Sequence, residues 1–139
     1  IVLDRLRAGE DQVVIGDDYD TADGTCVRDY IHVMDLANAH LLALDGMRQG
    51  KTRHSEYNVG TGEGSSVFEV LDGVRELAGW DFGHRIDPRR AGDPAYLVAD
   101  ASRIKEDLGF QAQFGLAEIL QSAWDANQVG ADRIEIPGP

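Results

Sequence analysis

The stretch 24-GTCVRDYIHVMDLANAH-40 decides how this chain is read. Its first half alternates: Cys26, Arg28, Tyr30 and His32 fall on one face, and Val27, Asp29, Ile31 and Val33 on the other. That period predicts a strand. Asp35 then reads as the cap of a helix whose positions Leu36, Ala37, His40, Leu41, Leu44 and Met47 keep a single face, with His40 a packed core imidazole and Gly46 and Gly50 closing the element. An arginine in such a strand needs an anion, either a protein carboxylate or a ligand from outside. Adjacent strand residues point to opposite faces, so Asp29 is badly placed for Arg28. Asp35 and an external anion both remain open.

Outward from this stretch the chain alternates short strands with helices. The opening "IVLDRLRAGED" reads as the last turns of an amphipathic helix that begins before Ile1 and stops at Gly9. "QVVIG" is an apolar strand, and "DDYDTADG" a turn-rich connection. "EYNV" reads as a further strand, and "GTGEGSS" turns into a helix over Val67 to Ala78, opened by a Ser66/Glu69 capping box. "GHRID" is a short strand, "PRRAGDP" a loop and "AYLVAD" extended. A short helix starts at Asp100 or Ser102 and stops at Gly109. A last helix carries Leu116, Ile119, Leu120, Ala123 and Trp124, and residues 128–139 form a tail. The pattern is α/β.

Composition narrows the function. The 139 residues carry a net charge of −12, from 25 acids and 13 bases. This argues against nucleic acid or an anionic membrane as partner, since such binding neutralises many phosphates with many bases. No apolar run approaches the ~20 residues of a membrane span. The single cysteine, Cys26, fits a reducing compartment, and cytoplasm is the default. A small phosphorylated ligand stays possible: 11 of the 13 bases are arginines, the better bidentate phosphate partner.

Several patterns weaken on inspection. "YNVGTGEGSSVFEVL" imitates a dinucleotide-binding turn, with Asp87 where a ribose-binding acid would sit. However, position 65 is serine where G-x-G-x-x-G requires its third glycine, so a tight turn feeding a capped helix is the better reading. His32, Asp35 and His40 lack metal-ligand spacing. The acids of residues 16–25 lack the spacing of a calcium loop, and Cys26 has no local base signature.

Taken together, "GDDYDTADGTCVRDYIHVMDLANAHLLAL", "YNVGTGEGSSVFEV" and "RRAGDPAYLVADASRIKEDLGF" resemble the C-terminal portion of the UDP-glucose 4-epimerases, within the extended short-chain dehydrogenase/reductase superfamily. The resemblance implies an extended Rossmann-type fold. Residues 1–127 would be a UDP-sugar-binding portion, with the last Rossmann elements intermingled at about 33–60. It implies NAD held by an N-terminal portion, a UDP-sugar substrate, interconversion of UDP-glucose and UDP-galactose, and an enzyme that forms homodimers. Residue by residue, Val13 and Ile15 match positions lining the uracil pocket. Arg28 matches an arginine on the diphosphate, with Tyr30 beside it on the same face. Arg90 matches a second diphosphate arginine, and Asp93 an acid that accepts from the ribose hydroxyls. Another nucleotide-sugar epimerase, dehydratase or decarboxylase of the superfamily, or a non-catalytic UDP-binding module, are the alternatives.

The catalytic Tyr-x-x-x-Lys of that family is absent: the four tyrosines are followed four positions on by Asp23, Met34, Thr61 and Asp100. No catalytic residue is therefore assigned here. Ile15 stands where relatives often carry phenylalanine. A chain this short is expected to expose Val14, Ile31 and Val59.

Overall fold

Alternating burial in Gln12–Ile15 makes a strand, β1, which pairs in parallel with β4 (His84–Asp87), Val14 opposite Ile86. The computed structural model describes residues 2–132, with side-chain surroundings through residue 128. Helix α1 (Val2–Arg7) precedes β1. A second, three-stranded sheet has β2 (Val27–Arg28) at its centre, antiparallel to β3 (Ser65–Ser66) and parallel to β5 (Tyr96–Leu97). Around these lie α2 (Val33–Arg48), α3 (Val67–Ala78), α4 (Ser102–Leu108) and α5 (Leu116–Asp132). The α/β expectation holds in outline. Helix α5 runs through the expected tail boundary at residue 128 to Asp132, and the rest of that tail lies outside the described residues.

Helix α3 follows the sequence closely. Ser66 accepts from the Glu69 amide at 3.1 Å and Glu69 accepts from the Ser66 amide at 2.7 Å, closing the capping box. Gly79, left-handed at φ 74°, ends the helix.

The strand expected over 25–33 is cut to two residues, Val27 and Arg28; the Asp29 amide just beyond still donates to the Leu97 carbonyl at 3.1 Å, while its side chain turns to other segments. Its carboxylate accepts from the Thr61 amide (2.9 Å) and hydroxyl (2.6 Å), the Gly62 amide (3.0 Å) and the Ala99 amide (3.2 Å). This one side chain ties the glycine-rich loop and the segment after β5 to the end of β2. A Cβ on Gly60 would stand 2.3 Å from Asp29 Oδ2 and 2.6 Å from the Ala99 Cβ, so the loop's close approach requires glycine there.

Helix α2 departs furthest from its reading. Its cap is His32, not Asp35: Nδ1 accepts from the Met34 amide at 3.1 Å. With Nδ1 an acceptor, Nε2–H donates to Ser122 Oγ at 2.8 Å, which in turn donates to the Ile119 carbonyl. Asp35 is buried and accepts from the Gln113 and Phe114 amides. Gly46 lies inside the helix, where a Cβ would meet Leu108 Cδ2 at 2.5 Å. The buried face is thus the narrow row Asp35, Ala39 and Gly46, and these small residues admit α4 closely. The opposite face, expected to be core, is solvent-facing: Leu41 is 63% exposed, Met47 62% and Leu44 42%. His40 is likewise exposed, its Nδ1 on the Leu36 carbonyl at 2.7 Å.

The expected exposure of Val14, Ile31 and Val59 is corrected accordingly. Val14 is wholly buried, while Ile31 and Val59 are half-buried against the cluster of Ala39, Ile104 and Phe110. "EYNV" joins no ladder among the described residues; Tyr57 and Val59 instead pack on that cluster. The Tyr57 hydroxyl donates to Asp107 at 2.8 Å, and His54 Nδ1 meets the same carboxylate at 2.9 Å. At the other end of the molecule, Arg7 Nη2 donates to the Asn127 carbonyl at 2.6 Å and Oδ1 at 2.7 Å, joining α1 to α5.

Asp29→Ala leaves the Thr61, Gly62 and Ala99 amides without their acceptor and should destabilise the chain by about 2–3 kcal/mol, read from urea unfolding. Acid should act through Asp107, whose carboxyl is held below its ordinary range chiefly by the Tyr57 hydroxyl, against burial. A depressed folded-state value gives stability that is complete above the unfolded value, about 3.9, and is lost as pH falls through the folded one. Thermal melts from pH 6 to 2 should therefore drop below about pH 4, and Asp107→Asn should reduce that dependence.

Candidate functional site

The anion that Arg28 needs is supplied by the protein, and by neither carboxylate considered from the sequence. Arg28 Nη2 meets Asp93 Oδ1 at 2.5 Å, in a partly buried pair. Arg28 Nη1 donates to the Val27 carbonyl (2.7 Å) and to the Pro94 carbonyl (3.0 Å). Asp29 faces the glycine-rich loop, and Asp35 faces the 113–114 amides. The strand geometry therefore excluded Asp29 correctly, whereas the partner's distance in sequence, 65 positions, hid Asp93.

Asp93 is placed by a turn. Its amide donates to the Arg90 carbonyl at 3.2 Å, and Gly92 holds φ 81° at the third position, the conformation a type II turn demands. Arg90 and Asp93 thus occupy the two ends of one four-residue turn, and Arg28 reaches that turn from β2. The two guanidinium groups nonetheless face different surroundings: Arg28 is paired with Asp93, whereas Arg90 faces a cleft that Arg28 does not line. The Arg90 guanidinium has no hydrogen-bond or ion-pair partner among the described residues, and it lines a cleft of about 310 Å³. Val13 and Ile15 line the same cleft, with Leu71, Arg5, Arg85 and Asp87. Asp87 is occupied by the Arg85 fork at 3.2 and 3.3 Å.

Tyr30 lies apart from these. With the strand ended at Arg28, it faces a different, larger cavity of about 650 Å³, beside Gly60, Thr61 and Phe114. Burial pushes its hydroxyl above the ordinary range, and the nearby Cys26 thiol adds to the rise against the Arg28 charge. Neither Arg28 nor Asp93 lines either cavity.

Two residues went unnoticed in the sequence. Tyr19 is 5% exposed, and its hydroxyl stands 3.4 Å from Asp93 Oδ2. Burial raises this hydroxyl first, and the Asp93 charge raises it further. Arg89 lies over the Tyr19 ring at 5.0 Å and pairs with Asp18 at 3.4 Å. The available signal was a lone aromatic among the acids of "DDYD", a side chain that gains from burial where its neighbours do not.

The glycine-rich loop does not form a dinucleotide cradle. The Thr61 and Gly62 amides, which would have to meet a phosphate, are occupied by Asp29, and a carboxylate at that place repels a phosphate. The described residues do not fit NAD. His32, Asp35 and His40 each have separate partners. Among the described residues no cluster of three His, Cys, Asp or Glu is placed to hold a metal, and no helix is long and apolar enough to cross a membrane.

Comparison with known proteins adds a family context. The model of the NAD dependent epimerase/dehydratase family matches residues 1–60. A UDP-glucose 4-epimerase of Corynebacterium glutamicum is 43% identical over 125 residues, which make up 89% of this chain and 37% of that protein. One from Rhizobium meliloti is 46% identical over 112 residues, covering 81% of this chain and 34% of its own length. The crystal structure of the Stenotrophomonas maltophila UDP-glucose-4-epimerase, with bound NAD and formylated UDP-arabinopyranose, superposes with a TM-score of 0.85 at 41% identity, covering 94% of this chain and 39% of that one. The enzyme from Bifidobacterium longum, in complex with NAD+ and UDP, gives 0.79 at 38% identity, with 94% and 39% covered. The chain thus spans little more than a third of the length of the relatives it matches.

Proposed function

We propose that this chain, which belongs to the NAD dependent epimerase/dehydratase family, supplies the UDP-sugar-binding portion of an enzyme that interconverts UDP-glucose and UDP-galactose. The observation that carries the reading is the turn from Arg90 to Asp93. It presents one unpaired guanidinium at an apolar cleft and anchors a second, Arg28, at its other end. Val13 and Ile15 offer the heterocycle an apolar wall, and the two arginines offer its linked phosphates charged donors.

NAD and the hydride chemistry belong, in this reading, to residues that this chain does not contain. The support is twofold: no Tyr-x-x-x-Lys occurs in the sequence, and the one loop resembling a dinucleotide cradle is closed by its own carboxylate. The solvent-facing side of α2 supports the same reading, since an apolar row of this length suits packing against a further folded portion.

Calorimetric titration of the 139-residue chain with UDP tests the proposal. UDP should bind, and Arg90→Ala should weaken it by about 1.5–3 kcal/mol, the worth of a charge-assisted hydrogen bond. Arg28→Ala should weaken it as well. Unchanged affinity in both variants would remove the diphosphate assignment. The purified chain, given NAD and UDP-galactose, should form no UDP-glucose; measurable conversion would place catalytic groups within these residues.

A further inference from the structure

We propose that Arg85, held in place by Asp87, is a specificity-determining residue of the cleft that Arg90 lines. It selects a pyrimidine with a carbonyl oxygen at ring position 4 over one with an amino group there, which is uracil over cytosine. The inference rests on the UDP-binding reading and adds to it the side chain that distinguishes the base.

The cleft has apolar walls and few polar groups left to meet a ligand. Val13, Ile15, Val67 and Leu71 form the apolar part, and the volume of about 310 Å³ lies at the lower end of the range of small-molecule sites. Two of the polar side chains that line it are already engaged. Arg5 donates to the Asp11 carbonyl at 3.0 Å and meets Glu10 at 3.3 Å. The buried Gln12 side chain donates to the Val2 carbonyl at 3.3 Å. Arg85, Asp87 and Arg90 remain.

Arg85 and Asp87 stand two positions apart on β4 and so share a face, which continues across the parallel ladder into Val13 and Ile15. Arg85 Nε–H donates to Asp87 Oδ1 at 3.2 Å, and Nη2–H to Oδ2 at 3.3 Å. This fork fixes the guanidinium plane and balances its charge. The Nη1 hydrogens and the second Nη2 hydrogen meet no acceptor among the described residues. The pair therefore brings directed donors to the cleft without net charge, whereas Arg90 brings an unbalanced cation. An unbalanced cation suits the anionic end of a nucleotide, and a balanced one suits its neutral ring. Uracil carries an accepting oxygen at position 4; cytosine carries a donating amino group. Donor facing donor leaves both without a partner, so the fixed guanidinium favours uracil. Asp87 is the positioning residue, since it holds the fork. The side chains are 60% and 39% exposed, and an ion pair so exposed adds little to folding. Variants here are accordingly read in binding and not in stability.

UDP and CDP share ribose and diphosphate, so titrating the 139-residue chain with each isolates the base. UDP should bind about tenfold more tightly than CDP. Arg85→Met, which keeps the aliphatic stem, should weaken UDP by about tenfold and leave CDP within about twofold, erasing the preference. Asp87→Ala releases the fork and should narrow the UDP-to-CDP ratio by about threefold. The ratio is the readout, because losing the Asp87 charge shifts both affinities together. Asp87→Ala carries the comparison alone if Arg85→Met does not fold. Equal losses of UDP and CDP in Arg85→Met would leave the preference intact and overturn the inference. A wild-type chain that binds the two nucleotides equally would overturn it too, while the UDP-binding reading would stand on its diphosphate contacts. A wild-type chain that binds neither would overturn that reading itself, and the inference with it.

Discussion

One carboxylate, that of Asp29, holds the irregular segments around the three-stranded sheet in place. It stands at the end of β2, and it gathers four donors from two distant segments, the glycine-rich loop and the stretch after β5. Without it, those amides would require other partners, and a buried amide without one costs about 1–3 kcal/mol. The same contact closes the loop to outside anions and ties down the segment that leads from β5 into α4. Asp35 and Asp23 repeat the device on a smaller scale. Asp35 secures the 113–114 amides, and Asp23 secures Thr25 and Ser66. Burial alone would raise Asp23, but these hydrogen bonds outweigh it and leave its carboxyl lowered. A chain with 25 acids thus uses several of them internally, as acceptors for irregular backbone.

Local patterns were legible where the interaction is local. The Ser66/Glu69 capping box, the glycine stops at Gly79 and Gly109, and the β1 and β4 strands all follow from residues within a few positions of one another. Reading failed where partners are distant. The nine-residue alternation around Arg28 predicts a long strand, yet a strand persists only as far as neighbours supply a ladder, and β3 and β5 each pair with it over two residues. Helix α2 has a correct apolar period on a face that no described residue covers. Its packed face is made of Asp35, Ala39 and Gly46, which no hydrophobicity argument selects, because closeness of approach and not apolar area decides it.

The site shows the same division. That Arg28 needs a counter-anion followed from elementary electrostatics; that the anion is Asp93 did not, since the two lie 65 positions apart. Arg90, Val13 and Ile15 line one cleft, while Tyr30 turns to another cavity once the strand ends. Tyr19 was passed over because its surroundings read as solvent-facing turn, although an aromatic ring in such a place is a reason to look for a lid.

The hydrogen bonds between Arg7 and Asn127 carry a consequence of their own. They fasten α1 to α5 across 120 positions of sequence. The two helices are thereby coupled: fraying of either removes an anchor from the other, so local opening at one should be felt as faster amide exchange at both.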